Sequence, residues 1–494
     1  MNYLLPSFLL FYYIVFPVAI AEVDPNIEAA SQFPFSEMLT PLLEDPLLEE
    51  AKIGVHVVNV RTGEEVFSFR GDEPLVPASV MKVITSAVAI RNLGPDFRFR
   101  TKLYIDGEID SEGTLNGDLY VKGGGDPSLT VQNLWKLVYD AKTMGLNKIA
   151  GNVFYDNSLY GGVNYIPGWE KSVDMLNGPS YFPLLSALSL NTNAVAIKVK
   201  PGESVGSQAN VFFDFPAPFL QIENHVTTSK KRSRRKMRIT RKVENETVIF
   251  RLEGQIPISE ERAWTYYRTH PYPDQFFMHY FAAMLKQHKI KVSKKHRFKK
   301  TPSRLPQYHR HKSEPLRKMI MDLNKHSRNL WAEHFLIQLG VQAKKGPATT
   351  ADGVVAVENY LKKIGVYSED TVLVNGSGLS REIKIPASTV SAVLLDMKSN
   401  QAIGLEFLSS MAVAGGMGTL RYRFQEDSYA GRVRGKTGSL NGVYCLSVFV
   451  WGEKDLYVMT FLGNNLSKPS SYTRKVQNFI IKTLLDGKTA TEEE

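Results

Sequence analysis

One short motif, Pro77-Ala78-Ser79-Val80-Met81-Lys82, is the natural starting point for this 494-residue sequence. It begins the run Ala78–Leu93, where small and apolar residues recur at helical spacing, and proline is common at the first turn of a helix. Ser79 and Lys82 are three positions apart and therefore lie on one face of that turn. Backbone N–H groups and the helix dipole stabilise negative charge on such a serine, and burial lowers the pKa of such a lysine. The motif predicts a serine nucleophile with a neutral lysine as its base.

A Ser-x-x-Lys motif alone carries little weight, because a second copy, Ser233-Arg234-Arg235-Lys236, lies among charged neighbours. Its lysine has no reason to lose a proton there, so we interpret this copy as chance. Two later motifs add weight. Ser327-Arg328-Asn329 begins the helical run Leu330–Leu339, and Lys436-Thr437-Gly438-Ser439 ends the predicted strand Ala430–Lys436. Taken singly, the first could be a helix cap and the second a hairpin turn.

Length and composition limit the class of protein. A chain of 494 residues predicts two to four folded units. Hydrophobic residues make up 43% of the chain and charged residues 22%, which excludes a disordered, collagen-like or coiled-coil protein. Cys445 is the single cysteine, so this chain alone cannot form an internal disulfide, a thiolate zinc site or an iron–sulfur cluster. We expect oxygen or nitrogen nucleophiles, and neither a metal nor a cofactor.

The predicted elements indicate one α/β domain interrupted by an insertion. We expect residues 22–98 and 306–487 to form the two parts of that domain, residues 99–305 to form inserted β-rich domains, and residues 488–494 to be a disordered tail. The predicted elements of the interrupted domain are the helices Phe35–Glu49, Pro315–Leu339, Thr350–Ile364 and Ser471–Leu485, and the strands Ile53–Val60, Glu65–Phe69, Val443–Trp451 and Tyr457–Leu462. The insertion contains β-like runs such as Gly117–Val121, Lys148–Tyr155 and Val195–Val199.

The first 21 residues predict export. They are almost wholly apolar and end in Ala19-Ile20-Ala21, a pattern that signal peptidase cleaves, and the acidic Glu22 follows. We expect a cleaved signal peptide and a mature protein in the periplasm or cell envelope. Because this segment has no Lys or Arg at its start and is long enough to span a bilayer, an uncleaved membrane anchor is the alternative.

Positive charge is concentrated in two regions of a chain with a formal net charge of +10. Lys230–Lys242 contains nine Lys or Arg in thirteen residues, and Lys286–Lys318 is rich in Lys, Arg and His. Either region could be a solvated loop or could contact anionic lipid or wall polymer. Aromatic residues that would stack on bases are missing from Lys230–Lys242, so we do not expect nucleic acid as a partner.

The order Ser-x-x-Lys, Ser-x-Asn, Lys-Thr-Gly resembles that of serine penicillin-recognising enzymes. The long β-rich interval between the first two motifs is similar to that of the class C low-molecular-mass penicillin-binding proteins, the S13 family of D-alanyl-D-alanine carboxypeptidases and endopeptidases. The resemblance covers nearly all of the chain after residue 21. Further shared segments are Tyr120–Pro127, Pro167–Trp169, Ser186–Val195, Asn375–Arg381 and Ala412–Leu420. The resemblance implies a β-lactamase/transpeptidase-like domain, with an antiparallel sheet flanked by helices.

The resemblance also implies catalytic roles. Ser79 is expected to attack the carbonyl of the penultimate D-Ala and form an acyl-enzyme, with Lys82 as its base. Ser327 is expected to relay the proton to the leaving amine. Asn329 is expected to hydrogen-bond both the substrate amide and Lys82, and Lys436 to support the relay electrostatically.

Substrate-binding roles are implied in the same way. Thr437 is expected to receive the terminal carboxylate, and Gly438 to let the substrate strand approach the backbone. The N–H groups of Ser439 and of the nucleophile are expected to form an oxyanion hole. A pocket for the stem-peptide side chain is expected to use Asp156 from the insertion and Arg381. For these two residues, a turn-capping carboxylate and a surface arginine are the alternatives.

The sequence departs from the family pattern at Arg328, often Asp or Asn in relatives, at Trp331, often Tyr, and at Asn375, often Asp. The implied partners are peptidoglycan stem peptides and, as acylating inhibitors, β-lactams. A β-lactamase would need a positioned water, and no Glu-x-x-x-Asn segment occupies the expected place. The remaining alternative is a wall-binding scaffold with little turnover. Carboxypeptidase and endopeptidase activities are not separated by the sequence.

Overall fold

The computed structural model describes residues 35–487, except 46, 47, 49, 162–164, 170–177, 468 and 469. The predicted signal peptide or anchor, residues 1–21, and the predicted tail, residues 488–494, lie outside the described residues. Within the described ranges, no helix combines the length and the apolar character needed to cross a membrane.

The chain begins with a helix and a hairpin. Its first elements are α1 (Phe35–Leu43), β1 (Lys52–Asn59), β2 (Glu65–Phe69) and α2 (Met81–Leu93). Helix α1 ends at Leu43 instead of the predicted Glu49, because Pro46 disfavours helical backbone in the residue before it. A 3-10 turn, Ala78–Val80, precedes α2, and every residue from Met81 to Ile90 is buried. The small and apolar residues of the motif run therefore form a core helix.

Among its described residues, the next part of the chain contains fourteen strands and two α-helices. These are β3 (Arg100–Asp106), β4 (Thr114–Leu115), β5 (Asp118–Lys122), α3 (Val131–Thr143), β6 (Lys148–Ile149), β7 (Val153–Asp156), β8 (Ala194–Lys200), β9 (Asn210–Phe213), β10 (Leu220–Ser229), β11 (Lys236–Glu244), β12 (Thr247–Pro257), β13 (Trp264–Thr269), α4 (Pro273–Gln287), β14 (Lys291–Val292), β15 (His296–Phe298) and β16 (Gln307–Lys312). The predicted strand Lys148–Tyr155 is divided into β6 and β7. Neither α3 nor α4 was part of the β-rich prediction.

The two chain segments that enter and leave this part lie side by side. The Ser313 N–H donates to the Phe99 carbonyl at 3.0 Å, and the Phe99 N–H donates to the Ser313 side-chain hydroxyl at 3.0 Å. Strand β16 pairs with β3, so the inserted strands extend past the predicted boundary at residue 305 to Lys312.

The described residues of the last part form mainly helices, followed by four strands and a closing helix. Its elements are α5 (Leu316–His326), α6 (Asn329–Lys344), α7 (Thr350–Lys363), α8 (Ala387–Ser399), α9 (Gly404–Ser410), β17 (Ala412–Val413), β18 (Val433–Leu440), β19 (Val443–Trp451), β20 (Leu456–Asn464) and α10 (Ser470–Asp486). The predicted helix Pro315–Leu339 is two helices, because Ser327 adopts a left-handed backbone (φ 56°) that ends α5. The predicted strand Ala430–Lys436 runs instead from Val433 to Leu440, so the Lys-Thr-Gly motif lies within a strand and does not form a turn.

Both ends of the chain build one six-stranded sheet. Its order is β17-β18-β19-β20-β1-β2, and every neighbouring pair is antiparallel. Helix α8 packs on one face together with α2, while α1 and α10 cover the other face. This confirms the predicted antiparallel sheet flanked by helices and places the 3-10 turn Ala78–Val80, which precedes α2, against β18.

Candidate active site

The segment Val76–Lys82, which we call the nucleophile turn, brings Ser79 and Lys82 together as the spacing predicts. The Lys82 ammonium nitrogen Nζ lies 2.9 Å from Ser79 Oγ. Ala78 has a positive φ of 46°, which is costly for a residue with a Cβ and marks a locally constrained backbone. The Asn464 side chain holds the start of this turn in place, because it donates to the Val76 carbonyl at 3.0 Å and accepts from the Val76 N–H at 2.9 Å. The serine is therefore presented on a rigid turn.

The environment of Lys82 favours its neutral amine. The side chain is fully buried, and Nζ also donates to the Ser377 carbonyl at 2.6 Å. Burial lowers the pKa of Lys82 well below its usual value, the nearby Lys436 lowers it further, and Glu333 acts in the opposite direction. A neutral amine 2.9 Å from a hydroxyl can accept its proton.

Strand β18 carries a second buried lysine. Lys436 is fully buried, its Nζ donates to the Thr437 carbonyl at 2.6 Å, and burial lowers its pKa to about 7. Two residues on, a Cβ at Gly438 would lie 2.7 Å from the Pro77 carbonyl oxygen and 3.1 Å from the Ser79 nitrogen. The glycine therefore lets the strand itself pack directly on the nucleophile turn.

The edge of β18 beyond β17 has no paired strand among the described residues. Strand β17 pairs with Arg434 and Gly435, and the Ala414 N–H donates to the Val433 carbonyl on that side. Because backbone direction alternates along a strand, Thr437 and Ser439 turn their N–H and C=O groups toward the same side, past the end of β17. An extended peptide could add to this edge as a further strand.

The Ser-x-Asn motif lies at the junction of α5 and α6. Ser327 forms the left-handed turn between the helices, and α5 packs on both α2 and β18. The Asn329 side chain donates to the Tyr181 carbonyl of the insertion at 2.8 Å. The hydrogen bond expected between Asn329 and Lys82 is not formed in the described structure, where the Lys82 amine bonds Ser79 and Ser377.

Sequence reasoning missed Glu333, which lies one turn after Asn329 on α6. Its carboxylate is fully buried and accepts the N–H groups of Gly376 at 2.9 Å and Ser377 at 2.8 Å. Burial raises the pKa of Glu333, while these hydrogen bonds and Lys82 act to lower it. An acidic residue inside the apolar run LWAEHFLIQL was the available signal, because a buried carboxylate needs a partner.

The two residues expected to form a stem-peptide pocket lie in different surroundings. Asp156, at the end of β7, is buried and accepts the N–H groups of Ser158 at 3.0 Å and Thr301 at 2.8 Å. Burial acts to raise the pKa of Asp156, but these hydrogen bonds outweigh it and the pKa is lowered. Arg381 is exposed and donates to the Asn441 carbonyl just past β18. Only Arg381 is placed beside the Lys-Thr-Gly strand, and the shared pocket stays a prediction.

The second Ser-x-x-Lys copy has none of these features. Ser233 lies in the loop between β10 and β11, and Lys236 is exposed at the start of β11. Among the residues that the structure describes, no cluster of three or more His, Cys, Asp or Glu could hold a metal ion.

A serine in contact with a fully buried lysine at the head of a core helix, packed against a lysine-bearing strand with an open edge, defines a serine acyl-transfer enzyme of the penicillin-recognising class. The sequence matches the family described as D-Ala-D-Ala carboxypeptidase 3 (S13) over residues 35–482, and the chain belongs to this family. The resemblance based on the three motifs is thus confirmed, and with it the prediction of a serine-type D-Ala-D-Ala carboxypeptidase.

Individual relatives agree along most of the chain. The D-alanyl-D-alanine carboxypeptidase of Actinomadura sp. (strain R39) is 28% identical over 471 residues, which is 92% of this chain and 86% of that protein. The crystal structure of penicillin binding protein 4 (dacB) from Haemophilus influenzae aligns with a TM-score of 0.77 at 22% identity, covering 89% of this chain and 98% of the other. The same protein complexed with a β-lactam aligns with a TM-score of 0.74, also at 22% identity, over 90% of this chain and 99% of the other.

Proposed function

We propose that this protein is an exported D,D-peptidase that acts on peptidoglycan stem peptides through an acyl-enzyme on Ser79. The observation that carries the proposal is the 2.9 Å contact between Ser79 Oγ and the Lys82 amine, in a site where burial depresses the lysine pKa. Neutral Lys82 takes the hydroxyl proton as Oγ attacks the carbonyl of the penultimate D-Ala. The C–N bond to the last D-Ala then breaks, and water later releases the shortened peptide from Ser79.

The open edge of β18 supports the roles proposed for the strand. A stem peptide that adds to this edge meets the backbone of Thr437 and Ser439, and its carbonyl oxygen can lie between the N–H groups of Ser79 and Ser439. We propose that Thr437 binds the terminal carboxylate and that Lys436, with a pKa of about 7, supports proton transfer by Ser327 to the leaving amine. Asn329 would bind the substrate amide.

Two peptide substrates test this activity. The purified protein would be incubated with a stem pentapeptide ending in D-Ala-D-Ala and, separately, with a cross-linked peptide dimer, and the products would be identified by mass spectrometry. Release of D-Ala or cleavage of the dimer, lost in Ser79→Ala, is the expected result. The choice between the two substrates determines whether the enzyme is a carboxypeptidase, an endopeptidase or both. No turnover of either substrate by the folded protein would favour the wall-binding scaffold.

Inhibition by β-lactams is part of the same proposal. A β-lactam carbonyl offered to Ser79 forms an ester with Oγ as the ring C–N bond opens, and the amine remains attached to the acyl group. The β-lactam complex of the Haemophilus influenzae relative supports this expectation.

We propose that the protein acts in the cell envelope after removal of residues 1–21. The apolar stretch and its Ala-x-Ala end support export. Mass determination of the protein from its host would give an N-terminus at Glu22. An intact Met1 in the membrane fraction would identify the anchor alternative.

We further propose that the exposed part of Lys230–Lys242 contacts an anionic surface of lipid or wall polymer. Not all of this charge is free: Lys242 pairs with Glu223 and Glu244 at 3.0 Å, and the Arg235 guanidinium lies 3.2 Å from the centre of the Trp264 ring. The exposed cations Lys230, Lys231, Arg232 and Arg234 lie in the loop before β11. Changing these four to Gln should weaken sedimentation with anionic vesicles or with purified wall more than four Gln at Lys291, Lys294, Lys295 and Lys300.

A further inference from the structure

The loop Asn375–Gly378 lies between helix α6 and the nucleophile turn and contacts both. Its Gly376 packs so closely on α6 that a Cβ there would lie 2.7 Å from the Ala332 carbonyl oxygen. On its other side, the Gly376 carbonyl accepts the Thr85 hydroxyl at 2.8 Å, and Gly378, at a φ of +81°, lies against the Ala78 carbonyl. The loop therefore packs between α6, which begins at Asn329, and the segment formed by the nucleophile turn and α2.

Glu333 and Lys82 bind the same residue of this loop from opposite sides. The Ser377 N–H donates to Glu333 at 2.8 Å, and the Ser377 carbonyl accepts from Lys82 at 2.6 Å. The Gly376 N–H donates to the second Glu333 oxygen at 2.9 Å, so the carboxylate fixes two successive peptide units. The loop backbone thus joins a buried carboxylate to the amine that contacts the nucleophile.

We propose that Glu333 is a positioning residue for the catalytic base: its carboxylate holds the Gly376-Ser377 backbone so that the Ser377 carbonyl directs the Lys82 amine at Ser79. This inference rests on the proposed function, in which Lys82 accepts the Ser79 proton. The family resemblance implies a hydrogen bond between Asn329 and Lys82, but in the structure the Asn329 side chain donates to the Tyr181 carbonyl of the insertion instead. Helix α6 is therefore linked to Lys82 through Glu333 and the Gly376-Ser377 backbone.

Charge adds a second effect to position. Among the described residues, the charged groups that face Lys82 are Lys436 from β18 and Glu333 from α6, and the Ser79 hydroxyl completes its surroundings. Burial and Lys436 lower the pKa of Lys82, and an ionised Glu333 opposes them, so its charge shifts upward the pH at which the amine becomes neutral. Removing that charge should move the acidic limb of the acylation profile to lower pH, because the reactive neutral amine would then persist at lower pH.

The test compares the pH dependence of acylation by a fluorescent penicillin in three variants. Glu333→Gln keeps the size but offers an N–H donor where an acceptor is needed, so we expect acylation at least about 10-fold slower and an acidic limb at lower pH. Glu333→Asp keeps the charge on a shorter arm, so it should recover part of the rate with the limb at its wild-type position. His334→Asn is the matched control, because His334 is the next buried residue of α6 but bonds Gly125 and Ser189 of the insertion.

The outcomes separate the inference from the proposed function. A folded Glu333→Gln protein with the wild-type rate and limb would overturn the positioning role. The positioning role would also be overturned if the acidic limb of the acylation profile moved equally in His334→Asn, since that shift would reflect general loosening of α6. If Glu333→Gln does not fold, wild-type rates in Glu333→Asp would overturn the inference. Failure of the wild-type protein to be acylated at Ser79 would instead remove the proposed function itself.

Discussion

Substituting alanine for Gly438 should test whether the Lys-Thr-Gly strand must touch the nucleophile turn. The added Cβ would lie 2.7 Å from the Pro77 carbonyl oxygen, about 0.7 Å inside the 3.4 Å at which ordinary contact begins. The nearest atoms are the Pro77 carbonyl oxygen, the Ser79 nitrogen and Cys445 Cβ, and none of them can move aside by rotation of a side chain. A misplacement of about 1 Å can cost about 100-fold in rate, so we expect acylation about 10- to 100-fold slower. Overpacking should also lower the free energy of unfolding by about 1–3 kcal/mol.

The assay is the second-order rate of labelling by a fluorescent penicillin, measured beside the urea unfolding midpoint. Gly416→Ala is the matched control, because its added Cβ would meet its nearest neighbour, a Val413 methyl group, at 3.5 Å, an ordinary contact. This control should label at the wild-type rate. A Gly438→Ala protein that is folded and labels as fast as wild type would show that the close approach of β18 to Ser79 is not required.

Three further predictions concern the surroundings of Ser79. Lys436 has a pKa of about 7 in the folded protein against an ordinary value of 10.5, so between these pH values the unfolded chain binds a proton that the native state lacks. The free energy of unfolding of the wild-type protein, measured with urea, should therefore rise relative to that of Lys436→Met by about 1 kcal/mol per pH unit from pH 7 to 10. A difference between the two proteins that does not change with pH would contradict a buried neutral amine at Lys436. Asn464→Ala leaves the buried Val76 N–H without its partner, which should cost about 1–3 kcal/mol and slow labelling, whereas an unchanged midpoint would refute the bracing role. Ser327→Gly suits the left-handed φ of 56°, so it should keep the thermal midpoint at or above wild type yet slow acylation, and full activity would exclude a hydroxyl relay.

Local features of the site could be predicted from the sequence. Ser79 and Lys82 are three residues apart in one helical turn, so their contact follows from helix geometry alone. The strand Val443–Trp451 could also be predicted, since β-branched and aromatic residues dominate it. The predicted strand that bears Lys436 begins three residues and ends four residues before the observed one, because pairing with β17 and β19 determines its ends.

Features that depend on distant parts of the chain could not be predicted. Ser327 ends α5 in a left-handed conformation without a glycine to signal it. The Asn329 partner, Tyr181, is 148 residues away. The acid at Glu333 was visible as an anomaly in an apolar helix, but its partners in the loop Asn375–Gly378 are set by packing between elements that no local pattern connects.

The most direct test of the account is the intact mass of the purified protein after incubation with penicillin, with Ser79→Ala and Ser233→Ala as a pair. Both serines belong to a Ser-x-x-Lys motif, but only Ser79 has a buried lysine against its hydroxyl. We predict one penicilloyl adduct on the wild-type and Ser233→Ala proteins and none on Ser79→Ala. An adduct that persists in Ser79→Ala, or no adduct on the folded wild-type protein, would contradict the assignment of Ser79 as the nucleophile.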